Sequence, residues 1–319
     1  MLPIVHFQRL IFLLLFLIGS SMKAQDLNIF YLIPYEKTVK ETVGFISLSD
    51  VYIISESPDS AAIPSMELLD TVQSKHFYLD SMYRKRFLEG THISPTDSVF
   101  LYNYVNHLSA SFSVKSLKVL AKLNDYRSAD EYPHQPYDYQ IGFELAPAIR
   151  KKLCPNYSFP LVCIGKTNPF IKGQMKPIVW TKVPAKEFPP YEVDTTNRWV
   201  LRNVKRGTTY RANLVGYTIF VQDILSNEND NLSARQLIVT DSKTNTLVRN
   251  DCFYDSEGAM PAPLNLMTSE KMINQYVGRL FKGKPPVIMG FEYLSFGCDG
   301  ITFLKKDLPP VYINCDNRH

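Results

Sequence analysis

The chain has 319 residues, 45% of them hydrophobic, with 35 Lys and Arg set against 31 Asp and Glu. A net charge of +4 gives no electrostatic reason to expect nucleic acid or an anionic membrane as a partner. With 19 Tyr, 19 Phe and 21 Pro against 14 Gly, the composition excludes a disordered chain and favours aromatic-faced strands joined by proline-bearing loops.

Residues 1–25 carry the three regions of a secretory signal peptide: Arg9 as the positive charge, Leu10 to Ile18 as an unbroken apolar run, and small residues between Gly19 and Gln25 for cleavage. That run is too short to span a bilayer, and no later one reaches the roughly 18 apolar residues of a transmembrane helix. The expectation is an exported protein, periplasmic or extracellular, with no transmembrane anchor once the signal is removed. Export places the five cysteines in an oxidising compartment, and no Cys-x-x-Cys pair suggests zinc. Bridges are therefore expected for Cys154 with Cys163 and for Cys298 with Cys315, each pair flanking a strand-turn unit, with Cys252 left free.

Asn28 to Pro34 and Val43 to Ile54 are apolar, β-branched and aromatic, and read as strands. From Ser65 to Glu89, Leu69, Val72, His76, Leu79, Tyr83 and Phe87 recur at steps of three and four, which predicts one long helix ending at Gly90. Ser94-Pro-Thr-Asp97 has the form of a capping box and predicts a second helix with Leu101, Tyr104, Val105 and Leu108 as its stripe. Strand alternation follows from Phe112 to Leu123, with a slip at Lys115 and Ser116 that suggests a bulge. The polar, proline-bearing stretch Asp125 to Pro136 is the best candidate for a domain boundary or a long loop.

Beyond it the pattern changes to short strands, at Tyr137 to Leu145, Phe159 to Ile164, Pro177 to Val183, Trp199 to Val204, Leu214 to Val221, Leu237 to Thr240 and Leu247 to Asn250; only Ala146 to Leu153 reads as helix. Val239 to Val248 is the plainest hairpin, because Asp, Ser, Lys and Asn at its tip tolerate turn geometry. The fold class implied is α+β, predominantly antiparallel β: an α+β region over 26–130, then a β-rich domain over 131–319 built as a sandwich or barrel. Gly-Phe-Glu occurs twice, at 142–144 and 290–292, which raises Glu144 and Glu292 as a glycosidase-like acid and nucleophile pair. Strand alternation instead points both glutamates to the solvent face.

Ser295-Phe-Gly-Cys298 resembles the Ser-x-Gly-Cys core around the nucleophile of L,D-transpeptidases, exported enzymes that cross-link peptidoglycan through a cysteine acyl-enzyme. The resemblance spans four residues and implies Cys298 as nucleophile. Asp299 and Gly300 stand where that family has a small apolar residue and an arginine, and the family's upstream His-Gly segment is missing. No histidine lies between His134 and His319 to activate a thiolate. The weak catalytic candidates are thus Cys298, His319, Asp316 and Glu292. Cys298, Cys315, Asp316 and His319 also form a candidate metal set, since thiolate and imidazole suit zinc or copper.

The leading expectation is a non-catalytic protein, without cofactor, that binds an envelope or extracellular protein, peptide or glycan through its β-rich domain. The alternatives are a cysteine-dependent envelope enzyme acting through Cys298 and a metal-binding protein. The last forty residues are expected to close the β domain as a disulfide-stapled terminal strand.

Overall fold

The computed structural model describes residues 27–52, 62–65, 72–128, 131, 133–155, 158–192, 203–265 and 273–316. The proposed signal peptide, Trp199 and His319 lie outside them. Among the described residues the chain is mostly strand, with two α-helices. The strands of the first half are β1 (Ile29–Tyr31), β2 (Ile33–Thr38), β3 (Glu41–Ser47), β4 (His76–Tyr78), β5 (Ser98–Asn103), β6 (Leu108–Ser113), β7 (Lys118–Leu123), β8 (Tyr139–Leu145) and β9 (Leu161–Gly165). Those of the second half are β10 (Met175–Pro177), β11 (Thr181–Val183), β12 (Val204–Leu214), β13 (Tyr217–Ser226), β14 (Leu232–Asp241), β15 (Leu247–Tyr254), β16 (Ala259–Pro261), β17 (Tyr276–Gly278), β18 (Val287–Met289), β19 (Glu292–Leu294), β20 (Gly300–Phe303) and β21 (Val311–Asn314). The helices are α1 (Ser81–Gly90) and α2 (Pro147–Leu153).

A nine-stranded sheet runs β10-β17-β18-β20-β21-β1-β9-β5-β6, and two five-stranded sheets run β2-β3-β8-β7-β4 and β11-β12-β13-β14-β15. β21 is the seam of the large sheet, pairing parallel to β1 through Ile29 and Ile313 and antiparallel to β20 through Ile301 and Val311. Apolar alternation sends neighbouring residues of one strand to different cores. Val162 joins a core made with β3, β7, β8 and α1, whereas Leu161 packs with Ile29, Phe281, Ile301 and Ile313. A third core joins Val221 and Leu237 of β13 and β14 to Val277 and Ile288 of β17 and β18. The loop over Asp125 to Pro136 connects β7 and β8, which pair directly from Lys118–Glu144 to Leu123–Tyr139.

Of the long helix expected from Ser65, only the C-terminal part, Ser81–Gly90, is helical among the described residues. Gln73–Lys75 is a 3-10 turn, His76–Tyr78 is strand β4 paired to β7, and α1 starts only after Asp80, whose carboxylate accepts from the Met82 and Tyr83 amides. Pairing to β7 outweighs the helical spacing, and the N-cap resets the chain. His76 therefore lies on a strand, where its Nδ1 meets the Tyr35 hydroxyl at 3.3 Å. Gly90 is the last helical residue, and the left-handed conformation falls to His92 with φ 55.

The second expected helix is a β-hairpin. Asp97 does reach back to the Ser94 amide at 2.8 Å, as in a capping box, but the Asp97 amide bonds the Ser94 carbonyl and closes a turn. β5 is then drawn out as a strand by β6 on one edge and β9 on the other, with Val99, Leu101 and Tyr102 buried. The slip at Lys115 and Ser116 is a 3-10 turn over Val114–Ser116, not a bulge; it carries the chain from the large sheet into the β2-β3-β8-β7-β4 sheet.

Candidate functional site

The C-terminal segment is laid out by its glycines and by one bridge. After β18 the chain turns at Gly290, φ 86, where a Cβ would stand 2.0 Å from the Asn274 carbonyl oxygen; glycine alone allows the two backbones to pass so closely. Phe291 is then buried, stacked on Phe253 at 5.3 Å and edge-on to Trp180 at 6.2 Å. Phe291 and the next residue, Glu292, both line a cleft of about 880 Å³.

The far wall is held by a buried amide clamp. Asn265 and Gln275, 1% and 0% exposed, bond each other three times: the Gln275 side chain accepts from the Asn265 backbone amide, the Asn265 side-chain oxygen accepts from the Gln275 backbone amide, and Asn265 Nδ2 donates to the Gln275 carbonyl. Gln275 Nε2 also donates to the Pro263 and Gly290 carbonyls, and its Oε1 accepts from the Trp180 indole. The clamp fixes Asn274 and Tyr276, both of which line the cleft. Trp180 is therefore a core residue.

The remaining lining comes from every part of the chain: Tyr31 of β1, Tyr104 just after β5, Asp251 and Phe253 of β15, Met289 of β18, Asp299 and Thr302 at β20, and Tyr312 of β21. Tyr104 and Tyr276 meet edge to face at 4.9 Å, and Tyr31 meets Phe159 at 6.2 Å. No Lys, Arg or His lines the cleft among the described residues. Its three carboxylates are treated unequally. Asp251 is gripped by the Arg249 guanidinium at 2.7 and 3.1 Å. Asp299 accepts the Tyr31 hydroxyl at 2.9 Å. Glu292 has neither hydrogen bond nor ion pair among the described residues; burial first, then the Asp251 and Asp299 charges, push its carboxyl above the ordinary range. Burial likewise pushes the Tyr31 phenol well up, helped by Tyr104 and Asp299.

The raised Glu292 value has a consequence for stability. The folded state holds this proton where the unfolded chain has released it, so stability declines as pH climbs from about 4.3, the unfolded glutamate value, through the higher folded one. Glu292→Gln is expected to raise the thermal midpoint at pH 7 and to leave it unchanged below pH 4. Melts of both proteins across that range would check the sign; a lower midpoint for the variant at pH 7 would show that the carboxylate is a stabilising partner instead.

Cys298 lines the cleft, and its sulfur is bonded to Cys315 with a Cα–Cα distance of 5.5 Å. Neither sulfur is a free thiolate. Asp316 follows at φ 54, where its amide donates to the Asp50 carboxylate at 2.7 Å and its carboxylate accepts the Ser47 hydroxyl at 3.2 Å, tying the end of β21 to β3. The proposed set of Cys298, Cys315, Asp316 and His319 is thus a bridge and a tether, with His319 outside the described residues. Among those residues no group of three or more His, Cys, Asp or Glu is placed to hold a metal ion. Replacing Cys298 and Cys315 together by serine is expected to lower the unfolding free energy by about 3 kcal/mol, the chain-entropy value for a loop of this size, without loss of fold; urea titration would measure it.

The other expected bridge is absent: Cys154 and Cys163 are both free. The reason is the alternation of β9. Cys154 is buried in the core that contains Val162, while Cys163, the next residue, packs on the opposite side with Ile29 and Leu161. Burial pushes each thiol up to about 11, so both are protonated and inert near neutral pH. Cys252 takes part in no disulfide among the described residues.

Glu144 and Glu292 are not brought together. Glu144 sits in the β2-β3-β8-β7-β4 sheet, bonded to Lys37 at 3.1 Å and to the Tyr78 hydroxyl at 2.7 Å, and Glu292 sits on β19 paired with β16. Neither faces open solvent as alternation suggested; both are half-buried. Sequence reading missed Tyr31, Tyr104, Tyr276, Asp251 and Asp299 as site residues, because they come from five separated stretches and no local motif joins them. No protein-family model matches the chain, nor does any curated protein or solved structure, so its cleft is read from its own geometry.

Proposed function

We propose that the chain is an exported, non-catalytic protein that binds a partner or polymer of the cell envelope or extracellular space through this cleft. The observation that carries the reading is the cleft itself: an opening of about 880 Å³ walled by tyrosine and phenylalanine, with a few polar groups converging on it. Export accounts for the signal-like N-terminus and for a disulfide at the rim. The C-terminal region is a sandwich in this reading, supported by the core shared between β13, β14, β17 and β18.

The test is binding of the purified protein to wall polymers, glycans and peptides, with Tyr104→Ala as the cleft variant. The expected result is retention by one of these classes and at least a tenfold loss in the variant, read well below the variant's own melting midpoint because the Tyr104 ring also packs on Tyr276. Turnover of any such substrate that a single cleft substitution abolishes would overturn the non-catalytic part. Retention unaffected by cleft substitutions would overturn the site.

A further inference from the structure

Resting on that reading of the cleft, we infer that its ligand presents a primary ammonium group on a flexible stem, as a lysine-type side chain of a peptide does. Three observations converge. First, Glu292 and Asp299 bring two carboxylates to one cleft with no cation beside either among the described residues, while the third carboxylate, Asp251, already has Arg249. Two like charges at close quarters in a half-buried site are unfavourable until a cation enters between them. Second, aromatic rings stand beside Asp299: the Tyr31 hydroxyl bonds it, and Tyr104, which lies within reach of its charge, packs edge to face on Tyr276 at 4.9 Å. Aromatic faces attract a cation through their quadrupole, most strongly where water is excluded.

The third observation is the character of the walls. Tyr104 packs edge to face on Tyr276 at 4.9 Å and Tyr31 on Phe159 at 6.2 Å, and Ile273, Met289 and Phe291 extend this apolar lining. Such a wall packs against the methylene stem of an alkylammonium. A sugar would bring several hydroxyls that need polar partners, and apart from its carboxylates the cleft offers few. The lining therefore favours an alkylammonium over an amino sugar, although both carry the same charge.

The groups facing Glu292 fix how recognition depends on pH. Asp251 approaches from β15 and Asp299 from the turn before β20, and the paired strand β16 brings only Ala259, Met260 and Pro261. Protonation of Glu292 removes one of the two uncompensated charges. Binding of the ammonium should then weaken as pH falls through the raised Glu292 titration, opposite to what growing protonation of a histidine-bearing ligand would give.

The probe is a short alanine-flanked lysine peptide, compared with the same peptide bearing acetyl-lysine and with a glucosamine oligomer, each titrated by NMR into the full protein. The lysine peptide is expected to shift cleft resonances and to bind at least tenfold more tightly than its acetylated form. Asp299→Asn with Glu292→Gln should remove that difference while the melting midpoint stays at or above the parent value. Equal binding of the acetylated peptide in the cleft overturns the ammonium reading and leaves the binding function standing. Preference for the glucosamine oligomer overturns the choice of peptide. Absence of any cleft response overturns the inference; if wall polymers also fail to bind, the proposed function falls with it.

Discussion

Deleting Val311 to His319 is expected to leave a chain that does not fold cooperatively. β21 is the strand that joins β20, and through it β18, β17 and β10, to β1, β9, β5 and β6. Its loss would open two edges in the middle of the large sheet, each a row of unpaired backbone groups next to an apolar core. Ile313 is fully buried between Ile29 and its neighbours, so about 1.5–3 kcal/mol of side-chain burial goes with it. The bridge from Cys315 and the Asp316 contacts to Asp50 and Ser47 go as well. Against a typical domain stability of about 5–15 kcal/mol, this set is too large to lose. Urea unfolding of the truncated protein would test it, with the double serine variant as control for the bridge alone. A truncated chain that stays soluble with an unchanged slope would mean that β21 only caps the sheet.

That seam was legible in part. Paired prolines at Pro285-Pro286 and Pro309-Pro310, the glycines and the two cysteines marked the segment as strand-turn-strand, and Cys298 with Cys315 was the right pair. What could not be read was the partner: β21 lies parallel to β1, 284 residues earlier as Ile29 meets Ile313, and local spacing says nothing about a contact at that range. The same limit explains the helix errors. His76 to Tyr78 and Ser98 to Asn103 carry helical spacing, but strands β7, β6 and β9 lie alongside, and ladder bonds with two-sided burial decide the conformation.

Short repeats proved equally local. Gly-Phe-Glu at 142–144 lies inside β8, where a Cβ on Gly142 would collide with the Ile46 carbonyl at 1.8 Å. At 290–292 the glycine instead turns the chain at positive φ and the glutamate enters the cleft. Both glycines thus admit a close backbone neighbour, one within a paired strand and the other at a turn. Hairpin chemistry, by contrast, is local and was read correctly. Asp241 accepts from the Lys243 and Thr244 amides, Asn245 takes φ 57, and β14 pairs with β15 from Thr240–Leu247 outward. Tyr31, Tyr104 and Tyr276 show the cost to site prediction: each looks like another strand aromatic until the sheet brings all three into one cleft.

Gln275→Leu is expected to be the most damaging single substitution near the cleft, at about 5 kcal/mol. Leucine has similar bulk, so the cavity term is small and the loss is polar. The Asn265 amide, at 2.8 Å from Gln275 Oε1, and the Trp180 indole, at 3.3 Å, would each lose an acceptor inside a core that water does not reach. The Gly290 carbonyl would lose its 2.8 Å donor. A buried polar group stranded in this way costs about 1–3 kcal/mol, and two donors and an acceptor are stranded together. Gln275→Glu separates polarity from shape: it keeps the acceptor for Asn265 and Trp180 but sets an oxygen against the Pro263 and Gly290 carbonyls, so it should also destabilise strongly at neutral pH and recover as the carboxyl protonates. The fold and the site are coupled at this residue, since the clamp holds Asn274 and Tyr276 on one wall and Gly290, two residues before Glu292, on the other. Loss of cleft binding in Gln275→Leu should therefore appear at denaturant concentrations where the protein remains folded. A variant within about 1 kcal/mol of the parent would show that the amide network relaxes around the leucine and is not what sets the cleft.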